Sequence, residues 1–465
     1  MAFTELAYAV FLPLVFALYW LVRVKTAQNI VLLVASYTFY GFVHPWFCLL
    51  IATSTLVDYA CGLLLDDERR GNVFRRSVLA VSLVANLGML AVFKYFNFFS
   101  ENLGALLGGL GWQVQPYVLE IVLPAGISFY TFQTMSYTID IHRRQMRACR
   151  NLIDFAVFVS CFPQLVAGPI ERATRLLPQI ESPRRWNWEQ FFSAIPLLVL
   201  GFFKKLVVAD NLSGWVEQVY MLQQPSLFVL LAGTVAFAIQ ILADFSAYTD
   251  IARGSARLLG LELQENFNAP YLAVTPSDFW RRWHISLSSW IRDYVYIPLG
   301  GSQVESRWRL AGILILTFSL SGLWHGAAWN YVVWGVFNGV LLVGYHMIGL
   351  GGKWTPTGWY QRIPAWSLMM AFTLFGWMLF RASSLGWVVN AFAAGDLGLS
   401  GADLFAGALI LGYCLVYTLA WLLSFAVSRA RYQPYWTSVA YYWSLLALTA
   451  LLANRDPEAF IYFQF

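Results

Sequence analysis

Apolar stretches of roughly 17 residues or more follow one another along nearly the whole chain, and this succession limits the fold more than any other feature. They lie near 6–22, 29–43, 46–65, 77–99, 117–139, 191–209, 227–243, 309–325, 328–348, 364–380, 404–428 and 438–453. The pattern predicts an all-α polytopic membrane protein with about 11–12 transmembrane helices. Composition agrees: 59% of the 465 residues are hydrophobic and 12% charged, against about 25% charged in a soluble domain. No Lys or Arg precedes Arg23 and no small-residue cleavage site follows the first stretch, so it is expected to remain a span and not to leave as a signal peptide. There is no internal repeat, low-complexity tract or sizeable soluble insertion, which predicts one integral membrane domain over 1–465. The net charge of +5 gives no case for nucleic acid.

The connections alternate in basic content. "GFVHPW" (41–46), "ENLGALLGGLGWQVQP" (101–116) and "DNLSGWVEQVYMLQQPS" (210–226) contain no Lys or Arg, whereas "DDERRGNVFRR" (66–76) and "HRRQMRACR" (142–150) are rich in Arg. The positive-inside rule assigns the basic set to the cytoplasm and the N-terminus to the outside. "LIDFAVFVSCFPQLVAG" (152–168) has arginines on both sides and is interrupted by Pro163 and Gly168. It reads as a re-entrant or broken helix, tolerated at membrane depth only where it is enclosed by protein. The five cysteines (48, 61, 149, 161 and 414) lack CxxC spacing and read as small apolar residues.

Residues 244–309 hold seven arginines and no lysine. Within "SDFWRRWHISLSSWIRDYVYIPLGG" (277–301), Trp280, Trp283, Leu287, Trp290, Ile291 and Tyr294 recur at helical spacing, with Arg281, Arg282, Ser289 and Arg292 toward the other side. This describes a helix lying in the membrane interface. Its arginines either meet lipid phosphates or form a basic rim that draws in an anionic cofactor, and bidentate Arg–phosphate contacts suit a coenzyme A diphosphate. No glycine-rich phosphate loop is present, which argues against a nucleotide hydrolase.

"LSGLWHGAAWN" (320–330) places His325 between a tryptophan and a glycine, 16 residues after Arg309, or about 24 Å of helix. The hydrocarbon core is about 30 Å thick, so the turn into the next apolar run falls short of the far surface. His325 is then expected on the floor of a pocket opening outward, where Gly322 and Gly326 admit other backbones or a thin acyl chain. Ionisable residues at such depth are costly and commonly functional. No metal is expected: His44, His142, His284 and His346 show no ligand spacing with His325.

These stretches resemble the membrane-bound O-acyltransferase family, in its bacterial alginate O-acetyltransferase branch. Similar segments run along nearly the whole chain: "GISFYTFQTMSYTIDIHRR" (126–144), "FPQLVAGPIER" (162–172), "DFSAYTDIARGSARLLG" (244–260), "ENFNAPY" (265–271) and "FIYFQF" (460–465). One departure is Ala247, where a glycine is expected in "DFSGY". The resemblance implies transmembrane helices around a core of re-entrant and interfacial helices, with a cytoplasmic funnel leading toward an acceptor entrance on the other side. The family's two characteristic histidines map onto His284 and His325, the latter as the catalytic base.

The implied chemistry is transfer of an acetyl group from cytoplasmic acetyl-coenzyme A, a donor substrate and not a resident cofactor. The acceptor would be an extracytoplasmic polysaccharide or an acetyl-relay protein. His325 would take the acceptor hydroxyl proton and His284 would position or polarise the thioester. Arg281, Arg282 and Arg292 would hold the donor phosphates, with Arg253 and Arg257 as the next candidates. No serine or cysteine pairs evidently with His325, which favours direct transfer over an acyl-enzyme. Asp244, Tyr248 and Asp250 are expected to line the funnel, and Asp140 to form an ion pair with Arg143 or Arg144. The chain is expected in a bacterial inner membrane, in contact with lipid. A transporter or flippase of an anionic conjugate is the alternative of another class, though it would favour internal repeats. Within the enzyme class, alginate, cellulose, peptidoglycan and a D-alanyl carrier relay stay open.

Overall fold

A computed structural model describes residues 1–112, 115–166, 168–352, 354–393, 395–429, 435–454 and 460–461, without side chains at 424–429 and 435–436. Residues 113 and 114 of the long connection without Lys or Arg, residue 167 of the interrupted segment and residues 462–465 of the terminal motif lie outside the described residues. The order is α1 (Leu6–Leu21), α2 (Lys25–Gly41), α3 (Phe47–Asp66), α4 (Asn72–Gly109), α5 (Ile127–His142), α6 (Leu152–Ser160), α7 (Ala173–Glu181), α8 (Trp188–Met221), α9 (Leu227–Leu258), α10 (Pro276–Arg282), α11 (Ile285–Ile291), α12 (Arg307–His325), α13 (Trp329–Met347), α14 (Trp359–Arg381), α15 (Leu385–Ala393), α16 (Gly401–Arg429) and α17 (Tyr435–Leu452). No strand occurs among the described residues. Among the described residues, six helices are long and apolar enough to cross a membrane: α3, α4, α8, α9, α14 and α16 over Gly401–Leu423. Shorter apolar helical stretches run over Leu6–Leu21, Leu152–Leu165 (broken at Cys161) and Thr437–Leu452. The chain is an all-helical, multi-pass membrane protein, as its apolar stretches predict.

The described residues divide into two compact units. The first comprises Met1–Ala194 with Ala252–Gln264, the second Ile195–Ile251 with Glu265–Phe465. In the first, the interrupted segment breaks where the sequence indicates: α6 ends at Ser160, Cys161 leaves the helix, and a single turn follows at Phe162–Leu165. Asn151 starts α6 by accepting from Ile153 N and Asp154 N at 2.8 and 3.2 Å, which satisfies two of the free amides at a helix N-terminus. Between α3, α4 and α5, Asp58 accepts from Asn86 Nδ2 at 2.7 Å and from Ser82 Oγ, which also meets Thr138 at 2.9 Å. These side chains are fully buried, so each polar group finds its partner on a neighbouring helix. Lipid offers none.

The second unit buries charges more heavily. A π-helical turn at Lys204–Ala209 inside α8 turns two lysines inward. Lys205 Nζ lies 2.7 Å from Asp210 Oδ1 and 3.0 Å from Asp244 Oδ1. Lys204 Nζ lies 2.7 Å from Asp250 Oδ2 and donates to Ser246 Oγ at 2.8 Å. The backbone of Ile461 donates to Asp244 Oδ2 at 2.8 Å, and the Phe460 ring packs 4.1 Å from Tyr248. Asp244 and Tyr248, expected along a funnel, are therefore sealed in a packed ionic and aromatic core. The reason is α8, whose lysines the sequence does not visibly pair with α9.

Lys205 neutralises two buried carboxylates at once. Removing one partner of a buried ion pair costs about 3–5 kcal/mol, because the remaining charge stays in a low dielectric. Lys205→Met is expected to lower the melting temperature in detergent strongly. Lys205→Met with Asp244→Asn should recover part of the loss. Differential scanning fluorimetry checks both, and a single variant as stable as the parent contradicts the pairing.

Candidate active site

The segment expected as one interfacial helix is two. Thr275 starts α10 by accepting from Asp278 N at 3.1 Å, and Pro276 occupies its first turn. The helix stops at Trp283, and His284 takes a left-handed conformation at φ 43°. A left-handed backbone is unfavourable for a residue with a Cβ, so something must hold it. Asn266 does: Ile285 N donates to Asn266 O at 2.9 Å and Ser286 N to Asn266 Oδ1 at 3.1 Å. Asn268 N closes the other side onto Arg282 O at 2.9 Å. "ENFNAPY" thus acts as a clamp that fixes His284, a role the sequence alone did not assign to Asn266.

His325 is the last residue of α12, and α13 begins only a few residues later. The two helices approach through glycines. A Cβ on Gly322 would stand 2.1 Å from Tyr331 O, and one on Gly335 2.2 Å from Phe318 O. Gly326 faces the Tyr331 ring, where a Cβ would stand 2.2 Å from Cε2. The expectation that glycines at 322 and 326 admit close neighbours is met by protein: a backbone at 322 and a ring at 326. Asn330 Nδ2 donates to Ala382 O at 3.0 Å and pins the turn to the end of α14.

His325 is 3% exposed and His284 fully buried. The His325 ring stands edge-on to Trp324 at 5.0 Å, Trp334 at 5.2 Å and Phe380 at 5.3 Å. His284 packs on Phe245 at 4.6 Å and on Trp324 at 6.1 Å. Trp324 is therefore the shared neighbour of both imidazoles. These rings form an aromatic box around the His325 imidazole.

A cavity of about 330 Å³ runs along the same helix. Leu314, Thr317, Phe318 and Ser321 of α12 form one wall; α10 contributes Trp280 and Arg281, α11 contributes Ser288, and Arg292 follows α11. Thr317, Ser321 and His325 are spaced i, i+4, i+8, one stripe of a helix. Thr317 is 3% exposed, and neither its Oγ nor Trp280 Nε1 has a hydrogen-bond partner among the described residues. Such groups are costly unless something supplies the missing bond. The cavity thus has cationic groups in its lining and a polar middle; His325 lies one helical turn beyond Ser321, outside the lining, so it is not the floor of this pocket.

The three arginines separate. Arg281 and Arg292 line the cavity and Arg282 does not. Arg282 Nε is held 2.9 Å from Asp278 Oδ1. Arg281 donates to Gly352 O at 2.9 Å and keeps Asp278 at 3.7 Å, while Arg292 pairs with the neighbouring Asp293 at 2.7 Å. Both remain more than half exposed in their side chains. Arg257, a reserve candidate, belongs to the first unit and pairs with Glu262 at 2.9 Å. Among the described residues no group of His, Cys, Asp and Glu is arranged to hold a metal ion.

Comparison with known proteins gives this geometry a context. The profile of the membrane-bound O-acyltransferase family matches residues 32–386. The chain is 38% identical over 379 residues to the probable alginate O-acetylase AlgI of Pseudomonas aeruginosa, covering 81% of this chain and 71% of that protein. It is 30% identical over 433 residues to the peptidoglycan O-acetyltransferase of Helicobacter pylori, covering 86% and 80%. A more distant similarity, 27% over 269 residues (55% and 68%), joins it to the teichoic acid D-alanyltransferase of Bacillus subtilis.

Burial pushes the His284 imidazole down from 6.5 to about 3. Between those values the unfolded chain binds a proton that the folded chain excludes, so this contribution is complete above about pH 6.5 and falls by about 1.4 kcal/mol per pH unit below it. Glu171, raised to about 7 by burial in the first unit, acts in the opposite sense. The comparison with a variant therefore isolates His284. His284→Gln is expected to melt with a weaker loss of stability between pH 7 and pH 5 than the parent. Identical pH profiles would contradict a buried neutral imidazole.

Proposed function

The chain belongs to the membrane-bound O-acyltransferase family, and from that premise we propose that it O-acetylates an exopolysaccharide of the alginate type. The donor in this reading is acetyl-coenzyme A from the cytoplasm, used as a substrate. The acceptor is an extracytoplasmic polysaccharide or an acetyl-relay protein that serves it. The site is a bacterial inner membrane, with the N-terminus outside. Family membership favours acyl transfer over passage of an intact conjugate, the transporter alternative.

The observation that carries the reading is the cavity along α12. Arg281 and Arg292 suit the phosphates of the donor. The Trp280 N–H and the Thr317 hydroxyl suit the amides of a pantetheine arm, and the cavity's own stripe leads on to His325. His325 then acts as general base: its neutral ring accepts the acceptor hydroxyl proton as that oxygen bonds to the thioester carbonyl carbon. The carbon–sulfur bond breaks, and the imidazolium returns the proton to the departing thiolate. His284, held by Asn266 behind Trp324, positions the reacting carbonyl.

His325→Ala should leave the protein folded and inserted while lowering acetyl transfer by a factor on the order of 10² or more, the usual worth of a general base. Wild-type acetyl content in the polymer would sink the assignment. The arginines give a finer test. Lysine keeps the charge but loses the planar fork, so Arg281→Lys and Arg292→Lys should raise KM for acetyl-coenzyme A roughly five- to tenfold with little change in kcat. Arg282→Lys should leave KM nearly unchanged, since its guanidinium is turned to Asp278. Equal effects at all three positions would return the segment to a lipid anchor. Orientation has its own measurement: a reporter fused at 109 should read extracytoplasmic and one at 147 cytoplasmic, and the reverse would invert the topology.

A further inference from the structure

α5 ends in a left-handed turn. Arg144 N donates to Ile141 O at 2.9 Å and Gln145 N reaches back to Asp140 O at 2.8 Å, with Arg144 at φ +60°. A helix closed in this way ordinarily carries glycine or asparagine at the left-handed position. Here an arginine occupies it. Only Arg144, Ala269 and His284 combine a side chain with positive φ among the described residues, and His284 belongs to the candidate active site. Strain of this kind persists where the surroundings enforce it, and it gathers at sites with a use.

The Arg144 side chain opens onto a pocket of about 300 Å³ within the first unit. Asp66, Glu68, Arg75 and Arg147 share its lining, and Leu65 and Met146 give it an apolar part. The ionic partners can be followed one by one. Arg75 caps two helix ends, donating to the backbone oxygens of Leu65 at 3.2 Å, Ile141 at 3.2 Å and His142 at 2.9 Å. Asp66 is matched by Arg150 at 2.5 Å and Arg147 at 3.8 Å, and Glu68 by Arg147 at 2.7 Å. No carboxylate lies within ion-pair distance of Arg144 among the described residues. The guanidinium groups here outnumber the carboxylates, and the surplus is centred on an exposed side chain. The depth is informative too. α3 is a candidate span ending at Asp66 and α4 one beginning at Asn72, so the pocket lies where two spans leave the hydrocarbon.

We propose that this pocket binds the phosphate of an anionic phospholipid. Arg144 and Arg147 take the phosphodiester, and Leu65 and Met146 meet the first carbons of the lipid. The surplus of positive charge selects lipids with a net negative headgroup over zwitterionic ones. This site shares no residue with the cavity along α12 and does not depend on the reading of that cavity.

Arg144→Gly separates ligand from fold, because glycine relaxes the left-handed backbone while removing the guanidinium. The full chain is placed in discs of phosphatidylcholine alone or with phosphatidylglycerol added, and melting is followed. Phosphatidylglycerol should raise the melting temperature of the parent by mass action. In phosphatidylcholine the variant should be at least as stable as the parent. It should lose most of the phosphatidylglycerol increment, with affinity weaker on the order of fivefold, the worth of one cation near a charged headgroup. A variant that keeps the whole increment overturns the proposal. So does inorganic phosphate reproducing the increment in phosphatidylcholine discs, which would make free phosphate the ligand.

Discussion

The candidate site depends on how closely α12 and α13 approach. Gly322 and Gly335 leave no room for a methyl group between these helices, a small-residue contact of the kind that holds helices together where the surrounding lipid is as apolar as their side chains. Everything near His325 follows from it. The short turn after His325 keeps the imidazole at the helix end, and Tyr331 can press against Gly326. Trp334 arrives at the distance where it walls the ring. A looser pair would turn Thr317 and Ser321 away from the cavity and would open the aromatic box around His325.

A second constraint is the cost of ionisable groups at membrane depth. The protein meets it by pairing: Lys205 with Asp210 and Asp244, Lys204 with Asp250. Arg281 and Arg292 stand apart. Their carboxylate partners lie on their own short helical segments, and their side chains stay largely exposed beside the cavity. That difference between buried, internally matched charge and exposed charge beside a cavity is what supports the proposed donor role of Arg281 and Arg292.

Much of this was legible in the chain. Length and hydropathy gave the long spans, and proline and glycine marked the break after α6. The tryptophan-flanked histidine and the arginine-rich segment pointed to the candidate site, where Arg281 and Arg292 line one cavity and His325 lies a helical turn beyond it. What could not be read were contacts between residues distant in sequence. The left-handed turn at His284 rests on Asn266, and nothing in "FWRRWHISLSS" announces that the helix must stop there. Helical spacing put Arg281, Arg282 and Arg292 on one side as equals, yet Asp278 withdraws Arg282 from the cavity. Asp244 looked like a funnel residue because its lysine partner sits in a π-helical turn some 40 residues earlier, and Thr317 looked like an ordinary apolar-helix threonine until the cavity left its hydroxyl without a partner.

In the proposed mechanism the cavity along α12 delivers the acyl donor to His325. A structure of the full chain with a non-transferable acetyl-coenzyme A analogue tests it most directly. The phosphates should lie between Arg281 and Arg292, the arm beside Trp280 and Thr317, and the acyl end past Ser321 against the His325 imidazole. An analogue bound elsewhere, with this cavity empty and His325 out of reach of the acyl carbon, would contradict it.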